Sequence, residues 1–400
     1  MRPAAWLIIG FLAVCLRAGA EVRVSASSAR PGSPARAAFD RDRFSTNALW
    51  HGGEESTWTW QADFDQMRQV ASILQVNGDH DFVLRNAPAD YAWLYNRDGQ
   101  WIQFAAITNE NRLFREIRLK RAVHARSFRL VISKANGEAP AVREVEFSAN
   151  AQHKFPDWFV VLNITHDATL PGEGRQFIPL ARGSNTNFFP AQQVWLDSFN
   201  REFLAVEPRP LCAFISGSFK DWCEVDRKAF RGLAEVLGEK KLPIWASCGG
   251  AQALAIIAEH GIDAEWDCPH CRDPKKPKSP IYGHIGHTAT TPCGDYSACV
   301  FERGPHNVRV VEDDVAFVRM PREFKVMQSH CGQIEFMPKG WTWLVGPGQG
   351  TLTRHQAFRL NDAPIYAAQF HIEMEGAPES SASIMKNFLE IARGWGGYRK

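Results

Sequence analysis

Two styles of hydrophobic patterning divide the chain near residue 155. Between residues 21 and 150 the apolar positions come in short runs, several alternating with polar ones: Val22–Val24, Trp58–Trp60, Ala71–Val76, Phe128–Ile132 and Val142–Phe147. A period of two is what a half-buried strand presents. Asn77-Gly78, Asp98-Gly99 and Asn136-Gly137 supply turns, and no helical period intervenes. Many short strands with turns between them predict an all-β sandwich.

After Phe155-Pro156 the pattern changes. Trp158–Asn163 and Leu211–Ile215 are continuous apolar runs, as in strands buried on both faces. Residues 226–237 carry apolar side chains at helical spacing (Phe230, Leu233, Val236, Leu237). Leu242–Ala246 is another buried strand, and Gln252–His260 a helix closed by Gly261. Strand and helix in alternation predict an α/β domain: a mostly parallel sheet with flanking helices.

Length and charge narrow the classes of partner. The chain has 400 residues, 46 Lys and Arg against 44 Asp and Glu, and 45% hydrophobic residues. That composition is ordinary for a folded protein of two or three domains. Neither half carries the basic excess of a nucleic-acid or anionic-membrane footprint. At the start, Arg2, the apolar run Trp6–Leu16 and Ala18-Gly19-Ala20 form a secretory signal with cleavage expected after Ala20. The run is too short for a membrane span, which needs about 20 residues. A lipid-bearing Cys15 is the alternative, but Val14 is a poor residue before such a cysteine. The expected location is secreted or periplasmic.

The chemistry concentrates at two places. In Trp245–Gln252 a strand runs into Cys248, glycines 249 and 250 permit a sharp turn, and a helix starts at once. Such an elbow projects the sulfur above the sheet edge, where the helix N-terminus favours thiolate. A lone cysteine is more often a buried structural residue. The second place alters that balance. Strand Ile365–Phe370 leads directly into His371-Ile372-Glu373. A nucleophilic cysteine needs a base that later protonates the leaving group. Residues i and i+2 at a strand end point the same way, so Glu373 can hold the His371 imidazole in one tautomer.

Cys248, Gly250 and Gln252 match the Gly-x-Cys-x-Gly-x-Gln elbow of the class I glutamine amidotransferases and the related gamma-glutamyl hydrolases. Gln369-Phe-His-Ile-Glu373 resembles their Gln-Phe-His-Pro-Glu. Gln328-Ser-His330 followed by Met337-Pro-Lys-Gly-Trp341 is similar to their Ser-His segment, and Ile215-Ser-Gly-Ser218 falls where they carry Ser-Gly-Gly. The resemblance spans residues 157–394. It implies a three-layer α/β fold and a Cys248-His371-Glu373 triad. Oxyanion N–H groups would come from Gly249 and from Gly217 or Ser218, and Gln252, Ser329 and His330 would border the substrate. Three positions depart from the pattern. Ala246 and Ser218 stand where glycines do, the second bearing on how an oxyanion amide points, and Ile372 replaces proline.

The first half carries its own resemblance. Ala26-Ser-Ser28, Pro34-Ala35, Ala38-Phe39-Asp40, the Trp58/Trp60 strand, Tyr95, Asp98, Gly99 and Trp101 recur in order, ending in Ala125–Ile132 and Arg143–Phe147. They resemble the discoidin, or coagulation-factor type C, domain, a galactose-binding-like jelly roll whose relatives bind sugars or lipid head groups. Trp50, His51 and Trp93 could stack on a sugar face or pack in the core.

Seven cysteines remain besides Cys15 and Cys248. Cys268, Cys271, Cys293 and Cys299 fall in an insertion around residues 266–300 with the basic stretch Lys275–Pro280. Export favours disulfides there over a zinc site. His270, His284 and His287 are alternative ligands. Cys212–Cys223 is a further candidate pair, with Cys331 left over.

The expected organisation is thus a signal at 1–20, a discoidin-like module at 21–150 and an amidotransferase-like domain at 155–400. The expected function is an exported, cofactor-free hydrolase that cleaves a glutamine-like or gamma-glutamyl amide through a thioester, targeted by a glycan-binding module. No synthetase-like segment is recognised to consume ammonia, which favours hydrolysis over ammonia transfer. The alternatives are a non-catalytic surface-binding protein on a degenerate amidotransferase fold, and a zinc enzyme built on the cysteine cluster.

Overall fold

The computed structural model describes residues 22–150, 152–164, 170–184, 188–217, 226–262, 281–287 and 296–395. Its first half is an antiparallel sheet of seven strands: β1 (Val22–Ala26), β2 (Trp50–His51), β3 (Trp58–Asn77), β4 (Pro88–Arg97), β5 (Gln100–Ile107), β6 (Phe114–Ala135) and β7 (Ala141–Ser148). The spatial order is β2-β7-β3-β6-β4-β5, with β1 added on β3. Trp58–Trp60 and Ala71–Val76, separate runs in the sequence, are the two ends of β3. Its register shifts between Asp63 and Arg68 and again between Val70 and Ser72, and residues 65–69 between the ends are exposed. Such shifts bend a strand, so the sheet closes over an aromatic core in which Trp60 meets Trp93 and Phe128 meets Phe147. Asp98 and Gly99 both take positive φ, 52° and 87°, in the two-residue turn joining β4 to β5.

Trp50 and Trp93 are fully buried in this core and His51 is buried beside it. The Trp93 indole N–H donates to Gln75 and that of Trp50 to the Ser28 carbonyl. None of the three presents a face to a sugar; large apolar rings gain more from core burial than from the rim.

The second half is built on a nine-stranded mixed sheet. Its strands are β8 (Phe159–Asn163), β9 (Ala191–Trp195), β10 (Cys212–Ile215), β11 (Ile244–Ser247), β13 (Glu302–Val310), β14 (Glu323–His330), β16 (Trp341–Pro347), β17 (Ala357–Leu360) and β18 (Ile365–Ala368). β12 (Tyr282–His284) and β15 (Gly332–Ile334) form a separate pair. The order is β14-β13-β16-β17-β18-β11-β10-β8-β9, parallel from β18 to β9 and antiparallel from β14 to β18. The central strands are apolar on both sides because both faces are covered. Ile244 and Ala246 join one core with α2 (Arg201–Ala205), α3 (Arg231–Glu239) and α4 (Gly249–His260). Trp245 joins the other with α1 (Phe177–Gly183) and α5 (Glu379–Gly394). This is the expected three-layer arrangement.

The two halves share a core. Leu74, Val76, Leu84, Leu113 and Phe114 of the sandwich pack in one cluster with Trp158, Leu162 and Phe203. Polar groups lock the seam. Gln192 of β9 accepts from the Leu113 N–H (2.9 Å) and donates to the Asn111 carbonyl (2.6 Å), and the Gln193 N–H donates to the Phe82 carbonyl.

The described cysteines, Cys212, Cys248, Cys299 and Cys331, form no disulfide with one another. Cys223, Cys268, Cys271, Cys293 and His270 lie outside the described residues, so the expected pairing at the 266–300 insertion is not seen among them. Among the described residues no three His, Cys, Asp or Glu side chains converge to hold a metal ion, and no helix is long and apolar enough to cross a membrane.

Candidate active site

Three adjacent parallel strands end at one edge of the sheet. Ile215 of β10 is level with Ala246 of β11, and Ser247 with Ala368 of β18. Whatever follows each strand is therefore brought together: Ser216 and Gly217, then Cys248, then Gln369 to Glu373. Ligands of open α/β sheets gather outside such strand ends.

Cys248 occupies the elbow. Its backbone sits at φ 49°, ψ −114°, a conformation costly for a side-chain-bearing residue. It is held by its N–H on the Ala368 carbonyl (2.7 Å) and its carbonyl under the Gln252 N–H (3.0 Å). Gly250 must be glycine, because a Cβ there would lie 2.8–2.9 Å from Ile215 Cγ2 and from the Ile215 and Ser216 carbonyl oxygens. That close approach seats α4 against the end of β10.

His371 is fixed from both chain directions. Its N–H donates to the Met327 carbonyl of β14 (2.9 Å), and its Nδ1 donates to Glu373 Oε1 (2.8 Å). The ring and the Cys248 sulfur both lie against Gly217. Burial disfavours the imidazolium, but the charges of Glu373 and Cys248 outweigh it and hold His371 well above the usual histidine range. Glu373 is buried, with Ser216 Oγ 3.4 Å from its Oε1.

The remaining expected residues take up distinct places. Gly217 lies against both reactive groups: a Cβ there would be 3.3 Å from His371 Cε1 and 3.6 Å from the sulfur. Gly249 is the first residue of α4. The Ser329 carbonyl is 4.0 Å from the sulfur. Gln252 directs its amide N–H to the Gly332 carbonyl (2.9 Å) and to Gln369 Oε1 (3.2 Å). His330 is buried, and burial first, then the neighbouring His371, acts against its charged form. Ser218 lies outside the described residues.

Sequence reasoning passed over Gln369, whose Nε2 donates to the Cys248 sulfur over 3.7 Å, and Ser216. Both stand inside motifs that were read for their neighbours. Gln328, hydrogen-bonded to His330, likewise stands inside a quoted motif, whereas Glu302 beside the same ring gives no local signal, since sheet register alone brings it there.

A strained cysteine at a helix N-terminus, close to an imidazole that is oriented by a buried carboxylate, is an arrangement suited to acyl transfer.

Comparison with known proteins agrees with both halves of this architecture. The F5/8 type C domain family matches residues 23–147 and the Glutamine amidotransferase class-I family residues 182–391. One component chain of the glutamine-hydrolyzing GMP synthase of Archaeoglobus fulgidus is 31% identical over 86 residues, 22% of this chain and 45% of that protein. The glutamine-hydrolyzing GMP synthase of Thermosipho africanus is 33% identical over 84 residues, 21% of this chain and 16% of that protein. The chain thus spans under half the length of these relatives. Among solved structures, a putative GMP synthase component from Thermoplasma acidophilum aligns with 61% of this chain and 97% of its own, at 18% identity and a TM-score of 0.43. The family 32 carbohydrate-binding module of C. perfringens NanJ, solved in complex with galactose, aligns with 32% of this chain and 92% of its own, at 18% identity and a TM-score of 0.28.

Proposed function

We propose, for a chain that belongs to the class-I glutamine amidotransferase family, that it is an exported cysteine-dependent amidase acting on a glutamine-like or gamma-glutamyl amide. The observation that carries this reading is the convergence of three groups: Glu373 hydrogen-bonded to His371, and the His371 ring and the Cys248 sulfur both set against Gly217. In the proposed reaction the Cys248 thiolate attacks the amide carbonyl carbon, and the carbonyl electron pair moves onto oxygen. The N–H groups of Gly249 and of Gly217 or Ser218 receive that charge. Collapse of the intermediate breaks the C–N bond, and His371 gives its proton to the departing amine. The resulting thioester is cleaved by water, whose proton returns to His371 as the carboxylic acid leaves and the thiolate re-forms. Glu373 keeps the imidazole aligned throughout, and Gln369 donates to the resting sulfur.

The F5/8 type C domain is proposed to bind a glycan or a similar surface ligand. Its shared core with the α/β half makes it a fixed neighbour of the enzyme-like domain rather than a tethered one. Export rests on the signal-like residues 1–20, and the domain limits at 21–150 and 155–400 are proposed with it. Envelope peptides with gamma-glutamyl or side-chain amide bonds suit a protein in that location.

The test is covalent labelling with an electrophilic glutamine analogue such as a diazo-ketone, with the adduct located by peptide mass. Labelling at Cys248 that disappears in His371→Ala is the expected result. No adduct on folded protein would overturn the amidase reading in favour of a surface-binding protein.

A further inference from the structure

A second buried acid–imidazole pair lies beside the candidate nucleophile. Register between β13 and β14 sets Glu302 opposite His330, and both are buried. Glu302 Oε2 is 3.4 Å from His330 Nε2. Its Oε1 accepts the Leu352 N–H (2.5 Å) and lies 3.9 Å from His306 Nδ1.

Hydrogen-bond direction fixes the protons on His330. Its Nδ1 faces the Gly332 carbonyl at 3.0 Å, and a carbonyl only accepts. Its Nε2 faces Gln328 Oε1 at 2.9 Å. The Gln328 amide cannot be reversed without penalty, because Gln356 Nε2 donates to the Thr353 carbonyl (3.1 Å). Gln356 therefore offers its oxygen to Gln328, whose Nε2 donates to it over 2.7 Å. Gln328 is left with its oxygen toward the ring. Both ring nitrogens then need a hydrogen, which is the imidazolium, and Glu302 is its counter-ion.

We propose that Glu302 is a positioning residue that keeps His330 as an imidazolium, and that this buried ion pair fixes the 328–332 segment against Cys248. That segment supplies the Ser329 carbonyl near the sulfur and the Gly332 carbonyl that takes the Gln252 amide. The neighbouring Met327 carbonyl takes the His371 N–H. The titratable groups around the ring are Glu302 and His306 on β13, His371 after β18, and Cys248 across Ser329. Burial, followed by His371 and His306, acts against the cation, and the Gly332 carbonyl favours it. The Glu302 carboxylate, 3.4 Å from Nε2, and Gln328 Oε1, at 2.9 Å, add to the favourable side. A neutral ring would aim a nitrogen lone pair at an oxygen no more than 3.0 Å away. The proton assignment stands on geometry alone; the positioning role rests on the reading of Cys248 as nucleophile.

Ring ¹⁵N NMR on the full chain, with His330 identified by its loss in His330→Gln, tests the assignment. At about pH 8, where an ordinary histidine is neutral, both His330 nitrogens are expected to report N–H, and one should convert to the lone-pair type in Glu302→Gln. A neutral ring in the unmodified protein at about pH 7 overturns the proposal, whether or not any variant folds. Iodoacetamide modification of Cys248 should slow on the order of 10-fold or more in Glu302→Gln, with Glu302→Asp recovering most of the rate. An unchanged rate alongside a neutralised ring would overturn the positioning role. If Cys248 is unreactive even in the unmodified protein, the amidase reading fails and the NMR result still decides the ion pair.

Discussion

Arg112 reaches out of the β-sandwich and donates through Nη1 to the Phe203 carbonyl of the α/β half over 2.6 Å. Its guanidinium also donates to the Val206 and Pro208 carbonyls (3.0 and 2.6 Å) and lies over the Phe203 ring. Arg112→Met keeps the apolar stem but strips the donors from three carbonyls. The expected loss is about 3 kcal/mol or more. Because the hydrophobic cluster crosses the seam, urea unfolding should remain one transition, with its midpoint lowered for both halves together. Two separated transitions, only one of them shifted, would refute the single-unit view.

His371 should set the alkaline limit of activity. Glu373 and Cys248 raise its pKa against the effect of burial. A raised value keeps the proton on the ring as pH climbs past the ordinary histidine value of about 6.5. The proton is lost only near the higher folded value. Hydrolysis of a gamma-glutamyl anilide should therefore persist well above neutrality before kcat/KM falls. Glu373→Gln should bring that fall to lower pH and reduce the maximum by about 10²–10⁴-fold. An unmoved alkaline limb would exclude His371 as the proton donor.

The reactive core was legible because its pieces are local. Trp245–Gln252 carries strand, elbow and helix in eight consecutive residues, and His371 and Glu373 are two apart on one strand end. Parallel pairing of β10, β11 and β18 then only has to align three strand ends. Features set by register between distant segments were not legible. Glu302 stands opposite His330 solely through the β13–β14 pairing. The bends of β3 hid one strand as two. Trp50 and Trp93 were ambiguous for a different reason, since an aromatic residue in a strand suits a core and a sugar face equally well until its side of the sheet is known.

Two glycines at the site should respond differently to one methyl group. In Gly250→Ala the Cβ meets the Ile215 and Ser216 carbonyls at 2.9 Å, backbone atoms that cannot turn aside. A loss of about 1–3 kcal/mol is expected, visible in the urea midpoint. In Gly217→Ala the new contacts are 3.3–3.6 Å, to His371 Cε1 and to Cys248 Cβ and Sγ. Stability should stay near that of the parent while iodoacetamide modification of Cys248 slows. Equal destabilisation in the two variants would mean that Gly217 serves the fold and not the sulfur.

Glu144 should make the protein lose stability as pH rises through neutrality. Burial pushes its carboxyl up to about 8, with Glu146 and Asp40 adding to the effect and the Arg41 N–H, 2.7 Å from Oε2, opposing it. Unfolded, the same group titrates at 4.5. Between these values the folded chain holds a proton that the unfolded chain has released. The stabilisation is therefore complete below the unfolded value and drains away as pH climbs toward the folded one. Glu144→Gln keeps an oxygen for the Arg41 N–H and removes the titration. Other groups titrate too, so the informative quantity is the difference between variant and parent in thermal midpoint, measured from about pH 4 to pH 9. That difference should grow steadily in favour of the variant across the window and level off above it. A difference independent of pH would show that Glu144 is charged in the folded protein, and that the Arg41 N–H, with whatever else faces the carboxylate, offsets its burial.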